Sequence, residues 1–136
     1  MFLCVVLFQG ALRSVAQHEL TVQVLSDEPE RCGLLRVAVC PNAEAFEHDI
    51  GCITASARVA GSVTDVHLSD VSDELVAVKV FHDRDADGRL RTNWIGWPQE
   101  PFGFSNDPPI RFGPPSFRAA AVRLQQGENT VRVNLR

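Results

Sequence analysis

Short stretches in which apolar and polar residues alternate run through most of the chain. Side chains of a β-strand point alternately to the two faces of a sheet, so this alternation predicts strands with one buried face. Their many β-branched residues favour the same structure. Seven strands are predicted, at Leu20–Val24, Leu34–Cys40, Ile53–Val59, Val63–Leu68, Leu75–Phe81, Ala119–Leu124 and Thr130–Leu135. The stretch Leu75–Phe81 is the most apolar and is predicted to be a central strand.

Turn-forming residues separate these stretches, which favours an all-β fold, a seven- to eight-stranded antiparallel sandwich of two layers. Only Asn42–Asp49 has the composition of a short helix. The segment from His82 to Ser116 interrupts the alternation and holds both tryptophans and most of the prolines. An irregular loop this long is uncommon in a compact domain and usually functional, unless it contains a further strand, for which Leu90–Ile95 is the candidate.

Length and charge limit the classes of protein to consider. The chain has 136 residues, of which 45% are hydrophobic and 22% charged, typical of a single globular domain. Its formal net charge is −4 and Lys79 is its only lysine. Nucleic-acid binding needs a clustered basic surface. Because none is visible here, no nucleic-acid partner is predicted.

The beginning of the chain has the outline of a secretory signal peptide. An apolar run, Phe2–Leu12, precedes Ser14 and Ala16, which place small residues at the −3 and −1 positions of a cleavage site. The sequence thus predicts a signal peptide over residues 1–16, one domain over residues 17–136, and a periplasmic or extracellular location. The apolar run is too short to span a bilayer as a helix, so no transmembrane span is predicted. A buried N-terminal strand or helix is the alternative.

Three cysteines follow the predicted cleavage site, and in an oxidising compartment two of them are expected to pair. Cys32 and Cys40 flank one predicted strand, which would hold them roughly 26 Å apart, so they cannot bond to each other. Cys40 and Cys52 lie at the ends of two strands and form the best pair. Cys32 would then stay free in a monomer or link two copies. Three reduced thiols in a cytosolic protein are the alternative; a zinc site lacks the usual ligand spacing.

Three aspartates after the fifth predicted strand have the spacing of a calcium loop. The carboxylates of Asp83, Asp85 and Asp87 and the carbonyl of Arg89 match the first ligands of an EF-hand, in which oxygen atoms surround a hard cation. The twelfth position, normally a glutamate, is Trp94, and no helical pattern flanks the loop. The sequence therefore excludes an EF-hand.

Two interpretations of these aspartates stay open. One is a Ca²⁺-stabilised loop within a hairpin, completed by oxygen atoms from backbone carbonyls, from water or from the side chains of Asn93, Glu100, Asn106 or Asp107. The other is a polar hairpin turn, since Asp-Gly is itself a strong turn signal. If calcium binds, an incomplete site of this kind suits extracellular concentrations and a structural role.

The residues that follow combine aromatic rings with amides. Such a surface can stack on a sugar or form a pocket for a peptide. The alternative is a second hydrophobic cluster under the long loop. The candidate ligand-binding residues are His82, Asn93, Trp94, Trp97, Glu100, Phe102, Phe104 and Asn106.

The stretch FHDRDADGRLRTNWIGWPQEPFGFSN from Phe81, together with RFGPPSF from Arg111, resembles a bacterial exported family known as domain of unknown function 2141. The resemblance extends upstream to Cys40-Pro41 and to Cys52, where many members also carry a cysteine pair. It implies an immunoglobulin- or transthyretin-like β-sandwich and no particular activity. Arg91 stands where an acidic residue is common, which weakens the metal interpretation, and Cys32 is an additional cysteine.

Three classes of function compete. A hydrolase using His82 would need a nucleophile, yet neither Ser105 nor Ser116 lies in a G-x-S-x-G elbow, so no catalytic residue is predicted. A non-catalytic binding or accessory module of the cell envelope, with an unknown envelope ligand or protein as partner, is favoured. A purely structural domain without a ligand is the alternative.

Overall fold

Two β-sheets form the core of the protein. The computed structural model describes residues 17–27, 29–90, 92 and 97–136. Several predicted features lie outside the described residues: the signal peptide, most of the strand Leu90–Ile95, and the residues Arg91, Asn93 and Trp94. The elements are β1 (His18–Leu25), β2 (Leu34–Cys40), α1 (Ala43–His48), β3 (Ile53–Ala57), β4 (Val63–Val71), β5 (Leu75–Asp83), β6 (Phe102–Phe104), α2 (Phe117–Ala120), β7 (Ala121–Arg123) and β8 (Gly127–Asn134).

The strands form a three-stranded sheet in the order β4-β1-β8 and a five-stranded sheet in the order β3-β2-β5-β6, in which β7 also pairs with β5. The predicted all-β sandwich is thereby confirmed, and β5 is a central strand as its apolar sequence predicted. One strand pair departs from the expected antiparallel arrangement, because β1 and β8 are parallel. Parallel pairing needs a long connection between the two strands, and here nearly the whole domain separates them.

The sandwich core contains the residues that alternate inwards along both sheets. The buried residues are Leu20, Val22, Val24, Leu35, Val37, Val39, Val66, Leu68, Val71, Val76, Val78, Val80, Leu124 and Val133. Burying a side chain of this kind contributes about 1.5–3 kcal/mol. The period-two pattern of the sequence therefore corresponds to one buried face on each sheet.

Helix α1 lies within the predicted helical stretch Asn42–Asp49. The side chain of Asn42 accepts a hydrogen bond from the backbone N–H of Ala45 at 2.8 Å and caps the first turn. Asp49 ends the helix in the left-handed conformation. A disulfide joins Cys40 and Cys52 across this helix, as predicted, and Cys32 is free and exposed.

A second hydrophobic cluster covers part of the outer face of the five-stranded sheet. It consists of Cys40, Ala45, Phe46, Ala77 and Ala120, with Ala38, Cys52, Phe104 and Phe117 packed against it. Helices α1 and α2 supply much of this cluster. The remaining outer face, towards the end of β5, is not covered by a helix in the described part of the chain.

One predicted boundary was wrong. The stretch Ala119–Leu124 begins in helix α2, because Ser116 caps a helical turn by accepting from the N–H of Ala119 at 3.2 Å. Within the long segment, Leu90–Ile95 stays a prediction because most of it lies outside the described residues, whereas the segment contains the strand Phe102–Phe104, which the sequence did not predict. The middle of this strand packs tightly, because a Cβ atom on Gly103 would lie 2.2 Å from the carbonyl oxygen of Asn134.

Candidate functional site

Asp83, Asp85 and Asp87 lie in a turn at the end of β5, here called the aspartate turn. Asp83 is the last residue of that strand and is fully buried, whereas Asp85 and Asp87 are exposed. One carboxylate oxygen from each of the three lies within 4.8 Å of the others. The sequence therefore correctly predicted a group of converging carboxylates, and this group could hold a metal ion.

The carboxylate of Asp83 is already engaged by the protein. Its Oδ2 accepts from Arg36 Nε at 3.0 Å and from the backbone N–H of Gly88 at 2.8 Å. Its Oδ1 accepts from the backbone N–H of Asp87 at 3.2 Å. Burial raises the pKa of Asp83, but the hydrogen bonds from Gly88, Arg36 and Asp87 lower it by more than burial raises it. The pKa of Asp83 therefore lies below its ordinary value. Asp83 thus closes the turn as an ionised acceptor.

The chain before β2 packs against this turn. His82 is buried, and its Nε2 donates to the carbonyl oxygen of Cys32 at 2.6 Å. Gly33 has a φ of +64°, and a Cβ atom there would lie only 1.9 Å from the carbonyl oxygen of Asp83. An ion pair of 2.8 Å between Arg84 and Glu30 adds a further contact at the surface. These contacts fix the turn from one side.

The segment before β6 fixes the turn from the other side. The carboxylate of Glu100 is buried and accepts from the backbone N–H of Arg84 at 3.0 Å. The backbone N–H of His82 donates to the carbonyl oxygen of Pro101 at 2.8 Å. Glu100, which the sequence predicted as an additional oxygen ligand, therefore contacts the backbone of the aspartate turn through its carboxylate.

Two other predicted oxygen donors lie elsewhere. Asn106 Nδ2 donates to the carbonyl oxygen of Ala119 at 2.9 Å, which joins β6 to helix α2. The carboxylate of Asp107 pairs with Arg136 at 2.6 Å. The structure accordingly places Asn106 and Asp107 in contacts with α2 and the C-terminal residue. Arg89 lies beside the turn, and its N–H donates to Asp87 at 2.8 Å.

The two candidate nucleophiles hold the fold together. Ser105 is buried; its hydroxyl donates to the carbonyl oxygen of Ala120 and accepts from the N–H of Val78 at 2.8 Å. Ser116 caps helix α2. His82 bonds to the carbonyl of Cys32, and no hydrogen bond to either serine is found among the residues that the structure describes.

The predicted aromatic surface is divided. The centre of the Phe104 ring lies 6.0 Å from that of Phe46 and 6.0 Å from that of Phe102, so Phe104 packs at the edge of the second cluster. Trp97 is 48% exposed and lies on another shallow surface together with Glu100 and Arg136. Because Trp94 and Asn93 lie outside the described residues, their part in a binding face stays a prediction.

Where α1 and α2 do not cover the outer face of the five-stranded sheet, this face forms a groove with a volume of about 680 Å³, here called the outer-sheet groove. Strand register explains its composition, because Arg36 lies opposite Phe81, and Ala38 opposite Lys79, on the outward face of neighbouring strands. Phe102 and Phe104 continue the two rows on β6. The groove is lined mainly by Arg36, Ala38, Lys79, Phe81, Arg89 and Phe102.

Sequence reasoning missed most of this groove. Arg89, Phe102 and Phe104 were predicted site residues, but Arg36 and Lys79 were not. A signal was present, since each is the single charged residue of an otherwise apolar strand, LLRVAVC and LVAVKVF. A charge at an outward position of such a strand indicates that part of the outer face is open.

The family described as "uncharacterized protein conserved in bacteria", DUF2141, matches residues 22–132. The chain belongs to this family. The resemblance inferred from the aspartate turn and the glycine-rich segment is therefore confirmed. The DUF2141 match runs from β1 into β8, so the outer-sheet groove and the aspartate turn both lie within it.

No curated protein and no solved structure matches this DUF2141 chain. The two-sheet sandwich is established, but its predicted likeness to immunoglobulin or transthyretin domains stays a prediction. Among the residues described, no helix is both long and apolar enough to cross a membrane.

Proposed function

We propose that this protein is an exported, non-catalytic binding or accessory module of the bacterial cell envelope, with the outer-sheet groove as its binding surface. The predicted signal peptide supports export. The bond between Cys40 and Cys52 is consistent with an oxidising compartment.

One observation carries the binding role. Helices α1 and α2 and the second cluster cover part of the outer face of the five-stranded sheet, and the described residues leave a groove of about 680 Å³ on the rest of it. Ligand pockets typically have volumes of about 300–1,000 Å³, with apolar walls and a few polar groups. A purely structural domain that binds no ligand is the alternative that the experiment must exclude.

Site-specific photo-crosslinking tests the binding surface. A photoreactive residue at Ser56, which is exposed on β3 beside the groove, is compared with one at Asp65, which is exposed on β4 in the other sheet. After irradiation in periplasmic extract, we expect a discrete mass adduct with the probe at position 56 and none with the probe at position 65. Equal labelling at both positions, or no adduct at either, would contradict the proposal.

Export is tested by fusing alkaline phosphatase, which is active only after translocation, to the C-terminus. The full chain is expected to give active enzyme, and a chain lacking residues 2–16 is expected to give none. Activity from both fusions, or from neither, would show that these residues do not direct export.

A second role, weak calcium binding, is favoured by the three carboxylate oxygens within 4.8 Å of one another. Because Asp83 already accepts three hydrogen bonds, Asp85 and Asp87 would supply most of the exposed charge. The affinity we propose is of the order of 10⁻⁴–10⁻³ M, as in extracellular calcium modules. Calcium would stiffen the turn and leave the groove open.

Thermal melting tests calcium binding by linkage, since a ligand that binds only the folded state raises the melting temperature. The wild type is expected to melt at a higher temperature in millimolar calcium than in EDTA. The Asp85→Ala variant should lose this difference, whereas Asp65→Ala, on the other sheet, should keep it. Identical melting curves for the wild type in both buffers would rule out the calcium role.

A further inference from the structure

The charge of the outer-sheet groove differs in sign from that of the whole protein. The chain carries a formal net charge of −4. Among the described residues that line the groove, Arg36, Lys79 and Arg89 carry three positive charges and Asp49 carries one negative charge, a net of +2. The ionised Asp83, which is paired with Arg36, lowers the net charge to +1. A cationic groove on an anionic protein favours an anionic ligand.

The two cations on the groove floor are not equivalent. Lys79 Nζ donates to the carbonyl oxygen of Phe46 at 2.6 Å, pairs with Asp49, and lies 4.9 Å from the centre of the Phe46 ring. Its charge is therefore used within the protein. Arg36 uses only Nε for its bond to Asp83, and 31% of its side chain is exposed. A guanidinium with engaged Nε still has its terminal amino groups for a planar anion.

The bond to Asp83 also prepares Arg36 for binding. It holds the guanidinium in one place, so less side-chain entropy is lost when a ligand binds. Arg89 follows the same turn, is exposed, and lines the groove next to Arg36. The two guanidinium groups that line the groove, those of Arg36 and Arg89, thus lie at the end of the groove next to the aspartate turn.

Apolar side chains line the rest of the groove. Phe81 and Phe102 lie opposite each other on neighbouring strands and are half-buried, and the rings of Phe102 and Phe104 are 6.0 Å apart. Ala38 lies between Lys79 and Thr54 in the register of the sheet, and its small side chain lowers the floor there. An apolar group of a ligand would remove these rings from water.

We propose that the outer-sheet groove binds a small amphipathic organic anion. Its carboxylate is bound by the terminal amino groups of Arg36 and by Arg89, and its apolar body covers Phe81, Phe102 and Phe104. This inference rests on the proposed binding function and specifies its ligand class.

Calorimetric titration with three simple probes tests the ligand class. Phenylbutyrate has both the anion and the apolar group, phenylbutanol lacks the charge, and butyrate lacks the ring. We expect phenylbutyrate to bind about tenfold more tightly than either of the others, because each lacks one of the two contributions. Equal affinity for phenylbutyrate and phenylbutanol would overturn the proposal of an anionic ligand, and equal affinity for phenylbutyrate and butyrate would overturn that of an amphipathic one.

Three charge-removing variants locate the site. Arg36→Gln and Arg89→Gln should each weaken phenylbutyrate binding, by about tenfold for Arg36, and leave phenylbutanol binding unchanged. Arg132→Gln, exposed on β8 in the other sheet, is the matched control and should bind like the wild type. If Arg36→Gln fails to fold, as circular dichroism would show, Arg89→Gln alone decides. An equal loss in Arg132→Gln would show non-specific attraction and overturn the site.

The two proposals fail differently. An adduct at position 56 together with no preference for phenylbutyrate would leave the groove as a binding surface and reject the anionic ligand class. No adduct at position 56 and no binding of any probe would reject both.

Discussion

Arg36 Nε donates to the buried carboxylate of Asp83 at 3.0 Å, and this ion pair joins the floor of the outer-sheet groove to the aspartate turn. The same carboxylate accepts from backbone N–H groups within the turn. Asp83 thus stabilises the turn and orients the arginine at once. Its loss is expected to change both stability and ligand binding.

Replacing Asp83 with alanine should lower the free energy of unfolding by about 3 kcal/mol, because it leaves Arg36 and two backbone N–H groups of the turn without this acceptor. Asp85→Ala is the matched control in the same turn. Since Asp85 is exposed, its replacement should cost less than about 1 kcal/mol. Urea denaturation measures both values, and equal losses would show that Asp83 is no more than a solvated turn residue.

The lowered pKa of Asp83 predicts a pH dependence of stability. A group whose pKa is lower in the folded state stabilises the protein above its unfolded pKa, and this contribution is lost as pH falls through the folded pKa. The wild type should therefore lose stability below the ordinary aspartate value of 3.8. In Asp83→Asn this part of the loss should be missing. Melting temperatures measured from pH 6 downwards for both proteins test this difference. If the melting temperatures of the wild type and Asp83→Asn fall in parallel, the prediction is contradicted.

The disulfide should contribute measurably to stability. Cys40 and Cys52 are 12 residues apart, and closing a loop of this length removes about 3 kcal/mol of unfolded-state entropy. The Cys40→Ser/Cys52→Ser double variant should lose a comparable amount under oxidising conditions. Cys32→Ser, which removes the exposed free thiol, should fold as stably as the wild type.

The same Cys32→Ser variant resolves the question of a covalent dimer. On a non-reducing gel, a Cys32-linked dimer of the wild type would disappear in this variant. A monomer in both would leave Cys32 as a free thiol.

Gly103→Ala should weaken the contact between β6 and β8. The added Cβ would lie 2.2 Å from the carbonyl oxygen of Asn134 and 2.8 Å from a side-chain carbon of Val133, so the strands must separate. The expected cost is about 1–3 kcal/mol. Gly61→Ala is the control, since its Cβ would meet no atom within 4 Å. Equal stability of the two variants by urea denaturation would contradict the close approach.

Trp97 should be accessible to a neutral quencher. Its side chain is 48% exposed, on a surface separate from the outer-sheet groove. In a Trp94→Phe variant the emission comes from Trp97 alone, so acrylamide should quench it strongly. Quenching as weak as that of a buried indole would place Trp97 in a hydrophobic cluster and remove it from any binding face.

Local patterns in the sequence determined much of the fold. Alternation and β-branched residues located most strands, since each strand reports its own buried face. Asn42 and Asp49 marked the ends of α1, and the spacing of Cys40 and Cys52 indicated their bond. The aspartates at and after the end of β5 were correctly predicted to converge, because three alternate positions in one tight turn face each other.

Only the tertiary structure decided how distant segments combine. The parallel pairing of β1 with β8 and the strand Phe102–Phe104, which pairs with β5, depend on partners far away in sequence. Arg36 neutralises the buried charge of Asp83 across 47 positions of the chain. The groove likewise combines residues from strands that alternation alone cannot pair, because a period of two specifies which face a side chain takes and not which strand lies beside it.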